Sequence, residues 1–93
     1  MLLEIKFTAS MKRDVKRLAK QGKDLAKLRA VLLLLADGHP LPRKNRDHAL
    51  SGDKALLREC HIEPDWLLVY QIRQSELVLL AVNTGSHADL FGL

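Results

Sequence analysis

The sequence predicts an α+β fold in which a small antiparallel sheet packs against a helical hairpin. Near its start the chain alternates apolar and polar residues, and it then changes to helical spacing as far as residue 37. The second half contains two almost continuously apolar runs, residues 66–70 and 77–82, which are typical of interior strands. These observations predict the element order βααβββ. A length of 93 residues indicates a single domain over residues 1–93.

The first strand and the first helix follow from the spacing of apolar residues. Leu3, Ile5 and Phe7 alternate with polar neighbours, which predicts a half-buried strand. Thr8 or Ser10 can then cap a helix by accepting hydrogen bonds from its exposed N–H groups. The apolar positions of this helix form one stripe, made of Met11, Val15, Leu18 and Ala19.

A second helix and a long loop come next. Gly22 interrupts the first helix, and residues 24–37 are predicted to form a second one. Its apolar stripe consists of Leu25, Leu28, Leu32 and Leu35. Two helices joined so tightly predict a hairpin. Two prolines then end the helical pattern, and residues 38–54 are predicted to form a basic loop that includes Lys44 and Arg46.

Three strands complete the predicted sheet. They are expected over residues 56–62, 66–73 and 77–83, separated by short polar turns that favour antiparallel pairing. Residues 87–91 are predicted to form a short C-terminal helical turn.

The positive charge of the chain is concentrated in its first third. The formal net charge is +4, whereas residues 1–30 alone contain nine Lys or Arg and three Asp or Glu, a balance of +6. This balance suits RNA, DNA or an acidic protein partner. The alternative is that the basic positions of the first helix are only its solvated face: Lys12, Arg13, Lys16, Arg17 and Lys20.

The sequence gives no sign of export or of membrane insertion. Cys60 is the single cysteine, so no disulfide within the chain is predicted, and its strand context indicates a buried thiol. The apolar run over residues 30–36 is far shorter than the roughly 20 residues that span a bilayer. No stretch of signal-peptide length precedes it. We therefore expect a cytoplasmic protein without membrane contact.

Three histidines lie in short segments at the ends of predicted elements, and they carry most of the functional information. An imidazole titrates near pH ~6.5, so His48, His61 and His87 can give or take protons at neutral pH without a cofactor. RNA carries its own nucleophile, the 2′-hydroxyl, so cleavage needs only a base and an acid beside the phosphate. Together with Asp65, these histidines are candidates for both roles. His87 is the expected general acid, and the sequence leaves open which of His48, His61 and Asp65 is the base or orients it.

Positive charge and stacking surfaces are the other needs of such a site. Arg58, Lys44 and Arg46 are candidates to bind phosphate or ribosomal RNA. Trp66 or Phe91 can stack on an extruded base, although both residue types are also common in protein cores.

Metal and cofactor sites are not predicted. The histidine spacings match no compact zinc signature, although His48, His61 and Asp65 together remain a possible ligand set. The absence of a glycine-rich phosphate loop in the sequence argues against a nucleotide cofactor.

Three segments resemble one known family, the YafQ branch of the RelE-like toxins. They are Asp47-His48-Ala49-Leu50-Ser51-Gly52, the run from Arg58 to Tyr70 with its His-Ile-Glu-Pro-Asp-Trp core, and Thr84-Gly85-Ser86-His87-Ala88-Asp89-Leu90-Phe91-Gly92. The resemblance implies a RelE-like fold and the toxin of a type II toxin–antitoxin system. Such a toxin cleaves mRNA on the ribosome without a cofactor and is held inactive by a cognate antitoxin.

The same resemblance implies roles for individual residues. It places His48, His61, Asp65 and His87 at catalytic positions and Phe91 at a base-stacking or substrate-positioning one. One position departs from the pattern, because Asn83 stands where the family has an arginine. Either this protein is a slower enzyme, or Arg58 or Arg73 supplies the missing phosphate contact. Arg58 is favoured because it shares a strand with His61.

Two other functions are compatible with the same fold. Relatives of the superfamily poison DNA gyrase by binding it, but they lack this histidine set. A basic nucleic-acid-binding module with inert histidines would bind in a salt-dependent way without cleavage.

Overall fold

The computed structural model describes residues 2–52 and 56–92, and it confirms the predicted α+β class. In chain order, the helices and strands are β1 (Glu4–Phe7), α1 (Ala9–Lys20), α2 (Leu25–Ala36), β2 (His48–Ala49), β3 (Arg58–Glu63), β4 (Trp66–Arg73), β5 (Val78–Gly85) and α3 (His87–Phe91). The predicted helical hairpin and C-terminal turn are α1–α2 and α3.

The sheet contains five strands in the order β1-β5-β4-β3-β2. Strands β2 to β5 pair antiparallel with their neighbours, whereas β1 pairs parallel with β5. The sheet is therefore mixed rather than wholly antiparallel. The parallel pair is possible because the helical hairpin intervenes between β1 and the other strands and provides the long connection that parallel pairing requires.

Two boundaries in the middle of the chain differ from the prediction. The loop predicted over residues 38–54 contains the two-residue strand β2, and residues 53–55 lie outside the described part. The next strand begins at Arg58 rather than at residue 56, where Leu56 is 81% exposed. A strand of two residues such as β2 is difficult to predict because it is too short to show an alternation of apolar and polar side chains.

The core lies between the two helices and one face of the sheet. The leucine stripe of α2 is buried there as predicted, with Leu28, Leu32 and Leu35 each at most 7% exposed. From the sheet, Cys60 and Tyr70 belong to the same cluster. Burial of the Cys60 thiol raises its pKa to about 12, so the sulfur stays protonated at neutral pH.

The other face of the sheet carries the histidines. Successive side chains of a strand point to opposite faces, so Glu59 and His61 of β3 point away from the side on which Cys60 meets the helices. Val69 of β4 and Leu90 of α3 line one cavity. No helix within residues 2–52 and 56–92 is long and apolar enough to cross a bilayer.

Candidate active site

Asp65 and His87 form the best-defined pair of the site. Asp65 lies in the turn between β3 and β4, and its Oδ1 accepts a hydrogen bond of 2.9 Å from the backbone N–H of His87. The same oxygen lies 2.6 Å from Nδ1 of the His87 ring. These bonds, first the backbone one and then the side-chain one, lower the pKa of Asp65 below its ordinary value of 3.8. Asp65 is therefore an anion that orients the imidazole.

The position of His87 depends on the start of α3. Ser86 caps the helix by accepting from the Asp89 backbone N–H at 3.0 Å, and the Asp89 carboxylate accepts in return from the Ser86 N–H. This reciprocal capping box fixes the first turn of the helix, of which His87 is the first residue.

The rings of His61 and Phe91 both lie close to that of His87. The ring centroids of His61 and His87 are 5.9 Å apart, and those of His87 and Phe91 are 6.4 Å apart. His61 Nδ1 lies 3.2 Å from the Pro64 carbonyl oxygen. A carbonyl only accepts, so Nδ1 is the donor and Nε2 is the acceptor of the neutral ring. The 40% exposure of Phe91 agrees with a contact surface for substrate.

His48 is paired with a buried carboxylate that the sequence analysis missed. His48 lies opposite Glu59 in the β2–β3 pair, with 3.4 Å between Nε2 and Oε1. Glu59 is only 6% exposed, and its Oε2 has no hydrogen-bond partner among the described residues. The available signal was its spacing of two from His61 on one strand, which places both side chains on the same face.

The basic loop borders the site where it meets His61. Lys44, Arg46 and His61 line one open cavity of about 490 Å³, together with Pro64. Asn45 holds the loop in place, because its buried side-chain amide donates to the His61 backbone oxygen at 2.7 Å. The loop carbonyl of Arg46 in turn lies 2.6 Å from His48 Nδ1. The structure therefore brings the predicted loop cations and two of the histidines together.

Trp66 does not belong to the accessible site. It is 1% exposed, and its indole Nε1 donates to Thr84 Oγ1 at 2.9 Å within the core between sheet and helices. A ring without an exposed face has no surface on which an extruded base can stack. The predicted stacking role of Trp66 is therefore wrong.

Arg58 is also placed away from the histidines. It lies three residues before His61 on β3, so the two side chains leave opposite faces of the sheet. Its Nε lies 3.4 Å from both Asp47 Oδ1 and the Tyr70 hydroxyl oxygen, and Tyr70 itself donates to Asp47. The expectation that a shared strand brings Arg58 to the phosphate beside His61 ignored this alternation.

Neither the Asn83 amide nor the Arg73 guanidinium takes the place of the arginine that the family pattern has at position 83. The Asn83 amide donates to Asp14 Oδ2 at 3.0 Å, so it is directed to α1. Arg73 bonds to Gln71 at 2.7 Å and lies 3.6 Å from Glu76, at the end of β4 remote from Asp65. Among the described residues, Lys44 and Arg46 line the cavity beside His61, and Lys23 lines a second cavity together with Asp65.

The alternative metal site does not form. Within the described ranges, no three His, Cys, Asp or Glu side chains are arranged to hold a metal ion. His48, His61 and Asp65 are instead directed to Glu59, Pro64 and His87, respectively.

Comparison with known proteins agrees with the fold and the motifs. Residues 3–92 match the family model described as the bacterial toxin of the type II toxin–antitoxin system, YafQ. The mRNA interferase toxin YafQ of Escherichia coli K12 is 38% identical over 90 residues, which cover 96% of each chain.

Solved structures give the same result. A metal-bound toxin from Helicobacter pylori is 44% identical and superimposes with a TM-score of 0.92, covering 97% of this chain and 100% of that one. A chain of the E. coli DinJ–YafQ toxin–antitoxin complex is 36% identical with a TM-score of 0.89, covering 99% and 100%. This chain therefore belongs to the YafQ family of bacterial type II toxin–antitoxin toxins.

Proposed function

We propose that this toxin is an mRNA interferase, an endoribonuclease that cleaves mRNA on the ribosome by general acid–base catalysis. The observation that carries the proposal is the row Asp65–His87–His61, in which two imidazole rings lie close together with their planes tilted by 57° and a carboxylate is hydrogen-bonded to one of them. With ring centroids 5.9 Å apart, both imidazoles can contact one phosphodiester bound beside them.

The hydrogen bonds of the two rings favour a division of roles. His61 Nδ1 is directed to the Pro64 carbonyl, so Nε2 can take the proton from the 2′-hydroxyl as general base. The 2′-oxygen then attacks phosphorus, and the bond from phosphorus to the 5′-oxygen breaks. His87, held through Nδ1 by Asp65, donates the Nε2 proton to the leaving 5′-oxygen as general acid. The products are a 2′,3′-cyclic phosphate and a 5′-hydroxyl.

Charge on the phosphorane is met by His48 and the basic loop. The Arg46 carbonyl oxygen lies 2.6 Å from His48 Nδ1, and Glu59 Oε1 lies 3.4 Å from Nε2, so this ring connects the basic loop to β3. His48 is assigned to electrostatic stabilisation together with Lys44 and Arg46 because it contacts the loop that carries these two cations. Phe91, exposed beside His87, is assigned to stacking on a base next to the cleaved bond.

Two partners follow from this assignment. The E. coli relative forms a complex with its antitoxin DinJ, which supports a cognate antitoxin for this chain. The ribosome supplies the mRNA, and the exposed cations of α1, among them Lys12, Arg13 and Lys16, support a contact with ribosomal RNA.

Mapping of mRNA 5′ ends after induced expression tests the proposal. We expect cuts within translated regions, in register with codons, and none after expression of His87→Ala. Thermal unfolding of the purified variant provides the control for folding. Intact mRNA accompanied by arrest of DNA replication would contradict mRNA cleavage and would favour gyrase poisoning. Salt-dependent RNA binding without cleavage would also contradict the proposal, and it would indicate a nucleic-acid-binding module whose histidines are not catalytic.

A further inference from the structure

A network of polar side chains joins α1 to the segment that carries His87. We refer to it as the α1–β5 clamp, and its members are Asp14, Arg17, Asn83, Thr84 and Asp89. Arg17 had been grouped with the solvated basic face of the first helix. Its side chain is instead directed inward, at 36% exposure, whereas Lys12, Lys16 and Lys20 are exposed.

Asp14 takes the place of a neighbouring strand at the end of β5. Strand β1 pairs with β5 only as far as Ala81, so the backbone beyond that point lacks a partner strand on this side. Asp14 is 9% exposed, and its Oδ2 accepts from the Thr84 backbone N–H at 3.1 Å and from the Asn83 amide at 3.0 Å. The carboxylate thus stabilises the last residues of the strand.

Arg17 connects three elements through one guanidinium group. Its Nη1 donates to Asp14 Oδ1 at 2.8 Å, and its Nη2 donates to the Thr84 carbonyl at 3.1 Å. The same Nη2 lies 3.4 Å from Asp89 Oδ2 in the first turn of α3. A planar guanidinium can reach all of these acceptors from a fixed geometry, whereas an ammonium group is a single point donor.

Gly85 allows this approach. A Cβ atom at this position would lie 2.7 Å from Arg17 Nη2 and 2.9 Å from Asp89 Cβ, and the φ angle is +156°. The backbone therefore lies directly against the guanidinium where β5 passes into Ser86 and His87. Two residues later, the His87 N–H and ring reach Asp65.

We propose that Arg17 and Asp14 are positioning residues for His87. Asp65 holds the imidazole directly, and the α1–β5 clamp holds the backbone that presents it. The inference rests on the proposed role of His87 as general acid. Arg17, the inward-facing arginine of α1, then acts by holding His87 in position and not by binding RNA.

Two substitutions remove the guanidinium contacts in different ways. Arg17→Met keeps the aliphatic stem and loses every N–H donor. Asp14→Asn can still accept from Asn83 and Thr84 through its oxygen, but its amide N–H₂ then faces the Arg17 donors. Arg17→Lys keeps the charge but cannot bridge Thr84 and Asp89 simultaneously. Arg29→Met, at an exposed arginine of α2, is the matched control.

The measurements are kcat and KM for ribosome-bound mRNA and the ¹⁵N NMR titration of the His87 ring in the full chain. We expect Arg17→Met and Asp14→Asn to lower kcat roughly ten- to hundred-fold with little change in KM, because small misplacements of a catalytic group have effects of that size. Arg17→Lys should be intermediate. In Arg17→Met and Asp14→Asn, the His87 Nδ1 signal should no longer show the hydrogen bond to Asp65. In Arg29→Met, it should match the wild type.

The outcomes separate this inference from the proposed function. Unchanged kcat and an unchanged His87 spectrum in folded Arg17→Met would overturn it. A rise in KM alone would also overturn it, since Arg17 would then bind substrate. If the wild type cleaves no mRNA, the proposed function fails. The NMR titration then still decides whether the α1–β5 clamp determines the position of the His87 ring.

Discussion

Replacement of Asp65 by asparagine tests how His87 is activated. Both hydrogen bonds from His87 end on the same oxygen of Asp65, at 2.9 and 2.6 Å, so an asparagine oxygen can accept both bonds while the negative charge is lost. Where an Asp–His pair is buried in a catalytic triad, the same change lowers kcat by about 10⁴-fold. Here the side chains of Asp65 and His87 are 70% and 43% exposed, so water screens the charge. We therefore expect a smaller loss, roughly ten- to hundred-fold in kcat with KM nearly unchanged.

Single-turnover cleavage on programmed ribosomes measures this effect between about pH 5 and pH 8, the range in which imidazole groups ordinarily change charge. Asp65→Ala should lose at least as much activity as Asp65→Asn, because the oxygen that accepts both hydrogen bonds is then gone. Glu76→Gln, which removes an exposed carboxylate from the turn between β4 and β5, is the matched control. If both Asp65 variants stay within twofold of the wild type while His87→Ala is inactive, the orienting role of Asp65 is refuted.

Three further predictions concern the fold around the site. Gly85→Ala should destabilise the protein by about 1–3 kcal/mol and lower activity, because the new methyl group would lie 2.9 Å from Asp89 Cβ; chemical unfolding with an unchanged midpoint would contradict this. Trp66→Phe should lower the free energy of unfolding by about 1–2 kcal/mol, because the hydrogen bond to Thr84 is lost, and it should leave KM unchanged. A raised KM would instead indicate that Trp66 contacts RNA. The pKa values of Asp65 and Asp89 lie below 3.8, mainly because each carboxylate accepts a hydrogen bond from a backbone N–H. The unfolded chain therefore binds more protons in acid than the folded chain does. The thermal midpoint should accordingly fall as the pH is lowered through about 4 and below, and a midpoint that rises there would be inconsistent with these bonds.

The helices and long strands could be predicted because their signals are local. The spacing of Leu28, Leu32 and Leu35 gives one buried face whatever the helix packs against. The continuous apolar run that begins at Trp66 similarly predicts an interior strand. The parallel pairing of β1 was not predicted, because residues 4 and 78 are far apart in the chain and nothing local records their contact.

The candidate site was predicted only in part, because some of its contacts depend on residues that are far apart in the chain. The sequence places His61 and His87 at element ends, and the structure brings their rings together. Whether a polar residue in the middle of an element faces solvent or the interior depends on the neighbours it meets. Glu59 and Arg17 were missed on that account, since Glu59 is buried beside His48 and Arg17 reaches across to β5 and α3.

The chemistry of the cleaved ends tests the central claim most directly. Purified wild-type protein and His87→Ala are each incubated with ribosomes programmed with a defined mRNA, and the new termini are identified by mass spectrometry and by 5′-kinase labelling. Acid–base cleavage through the 2′-hydroxyl predicts a 2′,3′-cyclic phosphate and a 5′-hydroxyl with the wild type and no cleavage with His87→Ala. New ends that carry a 5′-phosphate, or equal cleavage by the two proteins, would contradict the account.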